Sequence, residues 1–194
     1  MMRGGVRALL LAAGVGSRYR AESDSDKLLA PSRAGDPYST PVLLAALHTL
    51  QGVAEELVVV VRADNAALIE RLRGQPCSLL VVETNGLGHS LAQAVRAHPA
   101  EQGWLVALGD MPYVRRDTLL AVAEAIRPQG LVAPVYQNQL GHPRGIGSAH
   151  REQLLALDGE RGAQTLFQGD AVQRLALDDP AVLRDIDRPG DRLA

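Results

Sequence analysis

The sequence of 194 residues has one cysteine, few aromatic residues and no excess of basic charge. A lone Cys77 excludes an internal disulfide and a zinc site built from several thiolates. Because Cys77 precedes the apolar run Leu79–Val82, we expect it to be a buried packing residue rather than a nucleophile. Aromatic residues make up 3% of the chain, so leucine, valine and alanine must form the core.

The charge balance and the absence of long apolar runs exclude further classes. With 20 Lys and Arg against 22 Asp and Glu, the formal net charge of -2 argues against nucleic acid as a partner. The apolar stretch Ala8–Ala13 is too short for a secretory signal or a membrane span. We therefore predict a cytoplasmic protein without a membrane partner, folded as a single domain over residues 1–194.

Short apolar runs alternate with segments of helical spacing. Most runs are continuous, which is typical of strands buried on both faces of a parallel sheet. The predicted strands are Val6–Ala12, Leu57–Val61, Leu79–Val82, Trp104–Leu108, Leu131–Val135 and Val172–Leu177. The alternation predicts an α/β three-layer sandwich with a mostly parallel sheet and right-handed crossovers.

Helices are predicted between these strands from capping residues and apolar stripes. Their predicted ranges are 41–50, 65–73, 90–97, 117–126, 151–157 and 163–168. The residues predicted to begin the first four are Thr40 with Pro41, Asp64, Ser90 and Asp117. Two polar, glycine-containing segments, Ala13–Pro41 and Gln137–Ser148, are predicted as loops.

A glycine-containing loop follows the first predicted strand. Gly14 and Gly16 allow close approach of a ligand to the backbone, and Arg18 adds a charge suited to phosphate. A tight turn that requires glycine is the structural alternative. Tyr19 stands where a dinucleotide-binding loop has its third glycine, and no Walker sequence follows. Lys27 is placed to reach an α-phosphate, or is a solvated surface lysine.

Carboxylates follow the strand that ends near Leu108. Asp110, between Gly109 and Pro112, is presented at the sheet edge as a hard oxygen ligand for Mg²⁺, or caps a turn. A second group lies in 185–191. If Ile186 is the buried residue of a short strand, Asp185 and Asp187 share its opposite face. The alternative is a solvated acidic tail.

These segments resemble the MobA-like nucleotidyltransferases. The resemblance lies in Leu11-Ala12-Ala13-Gly14-x-Gly16-x-Arg18 with Lys27-Leu28-Leu29, in Leu108-Gly109-Asp110-Met111-Pro112, and in 185–191, which is similar to the family's D-I-D-T-P-E-D. It implies a nucleotidyltransferase fold, Rossmann-like and GT-A-like, with Arg18, Lys27 and Asp110 as catalytic residues and Mg²⁺ on Asp110 and Asp187. The implied nucleotide-binding residues are Leu11, Ala12, Ala13, Gly14, Gly16, Arg18 and Lys27. The segment between Arg18 and Lys27 is longer than the family usually has.

Three further stretches resemble the MocA branch, the molybdenum cofactor cytidylyltransferases. They are Gly86–Leu91, Gly141-His142-Pro143 and Gly159–Ala163. This resemblance implies nucleotide contacts by Gly86 and Ser90 and acceptor contacts by His142 and Pro143. A helix N-terminus at Ser90 would suit a phosphate, although the segment also reads as a capped turn. The imidazole of His142 can instead satisfy a neighbouring carbonyl.

The resemblance implies transfer of CMP from CTP to a molybdopterin-type acceptor, with release of pyrophosphate. Leu-Ala-Ala-Gly at 11–14 is the form typical of CTP users, whereas GTP users typically have Leu-Ala-Gly-Gly. Open alternatives are molybdopterin guanylyl transfer and transfer to a sugar phosphate or methylerythritol phosphate. A non-catalytic molybdenum cofactor chaperone or nucleotide sensor is a further alternative. A molybdoenzyme or its insertion chaperone is the implied protein partner.

Overall fold

A computed structural model describes residues 3–169 and 171–194, and within them eight strands form one sheet in the order β3-β2-β1-β4-β7-β5-β6, with β8 paired to β5. The strands are β1 (Arg3–Ala12), β2 (Ala54–Arg62), β3 (Ser78–Val82), β4 (Gly103–Leu108), β5 (Leu131–Tyr136), β6 (Gln139–Leu140), β7 (Arg144–Gly147) and β8 (Val172–Ala176). Strands β1 to β4 are mutually parallel, and β7 runs antiparallel between β4 and β5.

Helices cover both faces of this sheet. They are α1 (Ser17–Glu22), α2 (Val42–Leu50), α3 (Ala66–Leu72), α4 (Leu87–Ala97), α5 (Arg116–Ala125) and α6 (Arg151–Leu155). Short 3₁₀ turns lie at Ser148–His150, Ala163–Phe167, Pro180–Leu183 and Pro189–Asp191. Core residues of α2, α3 and α5 pack on one face, and those of α4 and α6 on the other. The predicted α/β three-layer sandwich is confirmed.

The continuous apolar runs form strands because consecutive side chains enter opposite core layers. Leu10 of β1 and its register partner Val59 of β2 face the layer that contains α2, whereas Leu9 and Val58 face the layer that contains α4. All four side chains are fully buried. Each such residue contributes about 1.5–3 kcal/mol of hydrophobic stabilisation.

The predicted N-caps of α2 and α3 are wrong. Asp64 forms an ion pair with Arg62 at 2.8 Å, and the side chain of Asn65 caps α3 by accepting from the backbone N–H of Leu68. Pro41 takes the N-cap position of α2, so that helix begins at Val42 rather than at Pro41.

Helices α4 and α5 begin before the residues predicted to open them. Gly86 is the N-cap of α4, so Ser90 lies inside that helix. Arg115 is the N-cap of α5, and Asp117 lies in its first turn, where a carboxylate favourably meets the helix dipole.

The predicted loops contain regular structure. Gln137–Ser148 includes β6 and β7, and Ala13–Pro41 includes α1. Strand β3 is an edge strand, with Leu79 and Val81 exposed, rather than a strand buried on both faces. Cys77 is half-buried against the core, and burial raises the pKa of its thiol, which disfavours the reactive thiolate.

Within the described ranges, no helix combines the length and apolar character that crossing a membrane requires.

Candidate functional site

The candidate site lies where β1 and β4 end side by side. Leu11 and Leu108 are register partners, and the backbone N–H of Gly109 donates to the carbonyl of Leu11 at 2.9 Å. A Cβ at Gly109 would lie 3.1 Å from the carbonyl oxygen of Leu11 and 2.8 Å from Cδ1 of Leu43, so a larger residue here would require Leu43 to shift. The glycine loop and Asp110 therefore leave the sheet at the same edge, where ligands of α/β proteins bind.

The segment around Asp187 is tied to the strand end by backbone and core contacts. Ile186 is fully buried, and its N–H donates to the carbonyl oxygen of Asp110 at 2.9 Å. The segment is irregular rather than the short strand that we predict. One oxygen atom each of Asp110, Asp185 and Asp187 lies within 4.8 Å of the others. The structure thus brings together the two predicted metal ligands and adds Asp185 beside them.

Two cations pair with members of this carboxylate cluster, which we define as Asp110, Asp185 and Asp187. Lys27 Nζ lies 2.6 Å from Oδ2 of Asp110 and 3.5 Å from Oδ1 of Asp187. Arg18 Nη1 lies 2.6 Å from the other oxygen of Asp187. The predicted catalytic residues Arg18, Lys27 and Asp110 therefore meet in one place.

Lys27 is held in place by its neighbours in the long segment. Its preceding residue, Asp26, accepts from the N–H of Leu28 at 2.9 Å and from the side chain of Asn65 at 2.7 Å. Helix α1 takes up much of the extra length, and its Tyr19 is buried in the core. The lengthened segment therefore still delivers Lys27 to the cluster.

Electrostatics fix the protonation of Lys27. Burial alone lowers the pKa of its ammonium, but attraction to Asp110 and Asp187 outweighs that effect and the net shift is upward. Burial and the like charges of Asp187 and Asp110 raise the pKa of Asp185. Lys27 therefore carries a proton at neutral pH. It is also the only lysine of the chain, a compositional signal that motif spacing alone does not reveal.

The second carboxylate oxygen of Asp110 is available for a metal ion. Oδ1 of Asp110 is buried and has no hydrogen-bond partner among the described residues. A buried carboxylate oxygen without a donor is costly unless a cation meets it. With oxygen ligands only, the cluster has the chemistry that Mg²⁺ and other hard divalent cations prefer. The residues present therefore fit a divalent metal ion.

The glycine loop presents its backbone to solvent. Gly14 is exposed, and a Cβ added there would meet nothing within 4 Å. Gly16 has φ 61°, a left-handed conformation that glycine adopts without strain, and it caps α1. The preceding residues that we predict to bind nucleotide, Leu11, Ala12 and Ala13, are mostly buried, which leaves mainly their backbone available.

The predicted nucleotide contacts in the α4 segment have a structural role. Ser90 is fully buried, and its hydroxyl lies 2.9 Å from both Oγ1 of Thr84 and the carbonyl oxygen of Gly86. A Cβ at Gly86 would clash with the backbone of Gly159, and the N–H of Gly88 donates to that residue's carbonyl. The two segments that resemble the MocA branch thus pack on each other, and Ser90 presents no surface to a ligand.

The predicted acceptor residues lie just before β7, the strand that pairs with β4 on the side away from β1. The backbone N–H of His142, not its ring, donates to a carbonyl, that of Val182, and the following bond to Pro143 is cis. Burial, with a smaller contribution from the charge of Arg144, lowers the pKa of His142 to about 4. Its imidazole is neutral at pH 7 and lines a cavity that we describe below.

Solved structures show which fold the protein has. The chain superposes on a nucleotidyl transferase from Methanothermobacter thermautotroptrophicus with a TM-score of 0.81 at 23% identity, over 97% of this chain and 94% of that one. It superposes on Rv0371c from Mycobacterium tuberculosis H37Rv with a TM-score of 0.82 at 26% identity, over 96% and 95% of the two chains. The fold is that of the nucleotidyltransferases, as we predict.

The family follows from sequence comparison. The MobA-like NTP transferase domain matches residues 8–177, so the chain belongs to that family, whose class of activity is nucleotidyl transfer from an NTP. The bifunctional protein GlmU of Alkalilimnicola ehrlichii is 34% identical over 145 residues, which are 73% of this chain and 30% of GlmU. The chain spans about a third of the length of such curated relatives. The predicted family is confirmed.

Proposed function

We propose that the chain transfers CMP from CTP to a molybdopterin-type phosphorylated acceptor and releases pyrophosphate, with Mg²⁺ as the cofactor. The arrangement that carries this proposal is the position of Lys27 and Arg18 on the carboxylate cluster, directly beside the exposed glycine loop. A phosphate-binding loop, two cations and a hard-cation site are the components that nucleotidyl transfer requires.

The reaction needs no nucleophile from the protein. An oxygen of the acceptor phosphate attacks the α-phosphorus of the NTP, a new P–O bond forms, and the bond to pyrophosphate breaks. Protonated Lys27 stabilises the negative charge that grows on the α-phosphate oxygens, and Arg18 binds the triphosphate. The exposed N–H groups near Gly14 and Gly16 hold phosphate oxygens. The protein thus supplies position and charge.

The divalent metal is assigned to Asp110 and Asp187, and Asp185 lies beside these two ligands. The unpartnered Oδ1 of Asp110 supports this assignment. When bound, the ion neutralises phosphate charge and lowers the barrier to departure of pyrophosphate. A crystal structure of Rv0371c, 26% identical with a TM-score of 0.78, contains manganese. Manganese in a protein of the same fold supports a divalent metal here, and Mg²⁺ is the proposed physiological ion.

The proposal is tested by a screen of pyrophosphate release with Mg²⁺. CTP, GTP and UTP are each combined with molybdopterin, a hexose 1-phosphate and methylerythritol phosphate. The expected result is fastest release with CTP and molybdopterin. A preference for a sugar phosphate would replace the acceptor, and no release from any pair would favour the chaperone or sensor alternative. Copurification with a molybdoenzyme or its insertion chaperone would identify the protein partner.

Base choice provides a sharper prediction. Wild-type protein should have a higher kcat/KM for CTP than for GTP, and Ala13→Gly should shift the ratio toward GTP. A base read by the backbone of the loop lies close to position 13. Most of the Ala13 side chain packs in the core, but removal of its methyl group lets the loop backbone move away from the base, which makes room for a purine. One methyl group discriminates by roughly 1–3 kcal/mol in a packed pocket.

Both nucleotides are measured in parallel with one acceptor, and Ala30→Gly, another buried alanine, serves as the control. A wild-type preference for GTP would refute the assignment and favour guanylyl transfer.

Nucleotide should also order the long segment before Lys27. Glu22, Asp24 and Ser25 are exposed, so Ser23–Ser25 should exchange amide hydrogens rapidly in the free protein, whereas α1 is anchored by Tyr19. Saturating CTP should slow exchange around Arg18–Lys27 because phosphates engage both cations. Hydrogen exchange with and without CTP measures this effect, and α5 serves as an internal reference. Unchanged exchange in this segment would contradict the proposed contacts.

A further inference from the structure

A cavity of about 230 Å³ lies on the α4 side of the sheet, beside the candidate site. It is lined by residues of β1, β4, β6, β7, α4 and the 3₁₀ turn at Ala163–Phe167. Its walls are mostly apolar, and the principal apolar residues are Leu87, Leu91, Val106, Leu108, Ile146 and Phe167. Such a volume accommodates a compact ring system rather than a chain of sugars or peptide.

Arg144 introduces a charge into this apolar cavity. Among the described residues it forms no ion pair with a carboxylate, and its Nη1 is buried without a hydrogen-bond partner. Nη2 donates to the carbonyl of Leu140 at 3.3 Å, and the guanidinium carbon lies 4.7 Å from the ring centre of Phe167. The guanidinium is therefore positioned, but its charge is not neutralised.

The other polar groups of the cavity do not remove that charge. His142 is neutral at pH 7, and Gln164 is uncharged. Burial lowers the pKa of Arg144 to about 10, so the guanidinium remains protonated at neutral pH. A buried cation without a counter-ion is unfavourable, and an anion that reaches it removes the penalty through charge-assisted hydrogen bonds. The cavity is thus complementary to an anion on an apolar body.

The position of the cavity relates it to the acceptor. Leu108 lines it and stands two residues before Asp110 on the same chain segment. His142 also lines it, and its backbone N–H donates to the carbonyl oxygen of Val182, three residues before Asp185. The glycine loop, Arg18 and Lys27 provide a separate set of groups for the triphosphate. A ligand held by Arg144 therefore lies next to the candidate site without using the cations proposed for the NTP.

We propose that the Arg144 cavity binds the compact aromatic body of the acceptor, while Arg144 contacts an anionic group on it, either a carboxylate or one oxygen of the phosphate whose other oxygen attacks the NTP. Identification of the ligand as the acceptor rests on the proposed function, whereas the anion selectivity of the cavity does not. Arg144 then acts as a specificity-determining residue that selects acceptors by their charge.

The first experiment measures binding by the 194-residue chain without nucleotide. The probes are benzoate and phenyl phosphate, with benzamide as a neutral molecule of the same shape, and titration calorimetry or protein NMR gives the affinities. We expect at least one anion to bind about tenfold or more tightly than benzamide, and the stronger anion identifies the preferred group. Equal affinity for all three probes would overturn the proposal.

Variants locate the binding. Arg144→Met should abolish the preference for the anion, whereas Arg96→Met, on the exposed face of α4, should preserve it. Arg144→Lys retains the charge without the planar fork and should retain part of the preference. Circular dichroism and thermal unfolding verify the fold, and if Arg144→Met is unfolded the wild-type and Arg144→Lys comparison decides. An anion preference that persists in folded Arg144→Met would place binding at Arg18 or Lys27 and overturn the assignment.

A kinetic measurement tests the identity of the ligand. In Arg144→Met the KM of the acceptor should increase about tenfold or more, while the KM of the NTP stays near its wild-type value. The preferred probe should compete with the acceptor, and competition with the NTP would overturn the acceptor assignment. If no NTP and acceptor pair supports turnover, the proposed function fails, but the anion-binding result is obtained independently of it.

Discussion

Asp110→Asn should lower the rate of nucleotidyl transfer by about a hundredfold or more, because several kcal/mol of charge stabilisation depend on a correctly held divalent ion. The substitution preserves the shape of the side chain and its backbone link to Ile186, but removes the charge nearest to Lys27. Pyrophosphate release at saturating substrates measures the loss. Titration with Mn²⁺, followed by electron paramagnetic resonance, should show weakened metal binding in the same variant.

Asp117→Asn is the matched control, since this exposed carboxylate lies on α5 away from the cluster. It should leave both turnover and metal affinity near wild type. Near-normal turnover by Asp110→Asn would remove this residue from the proposed mechanism, whatever its effect on stability.

Lys27→Met should change catalysis and metal affinity in opposite directions. Turnover should fall by about a hundredfold, which is the usual cost of removing a preorganised donor to a developing negative charge. Without nucleotide, however, Mn²⁺ should bind on the order of tenfold more tightly, because the ammonium group at 2.6 Å from Asp110 no longer competes for the carboxylates.

Lys27→Arg distinguishes the effect of the positive charge at position 27 from the effect of the shape of the side chain. It keeps the positive charge, so Mn²⁺ affinity should remain near wild type, while turnover should fall because the larger guanidinium does not fit the mostly buried position of the ammonium. Unchanged Mn²⁺ affinity in Lys27→Met would show that Lys27 and the metal occupy different places. Unchanged turnover would remove Lys27 from the mechanism.

Much of the central fold can be predicted from the sequence because burial on both faces leaves a continuous apolar run. The valines of β2 are the clearest example, since Val58 to Val61 are all fully buried. Strand β7 is not predicted because its glycines, Gly145 and Gly147, indicate a loop. A Cβ at Gly145 would clash with Val132 and Ile126, so glycine is required there by packing between elements that are distant in sequence.

In the candidate site, too, some residues can be predicted from the sequence and others cannot. Asp110 and Lys27 lie in recognisable motifs, and the lengthened segment between Arg18 and Lys27 does not separate them in space. Ser90 shows the limit of motif reasoning, because contact with the 158–161 turn places the helix start at Leu87 and buries the hydroxyl. Arg144 has no sequence signal, since an isolated arginine is usually on the surface and only the tertiary structure encloses it.

The single lysine has a consequence for chemical modification of the protein. Nineteen arginines carry the remaining side-chain basic charge, so Lys27 offers the only ε-amino group of the chain. An enzyme that acylates only lysine side chains can therefore add a single group, and that group would cancel the positive charge between Asp110 and Asp187. After such lysine-specific treatment, the mass of the intact protein would report whether Lys27 still carries its charge.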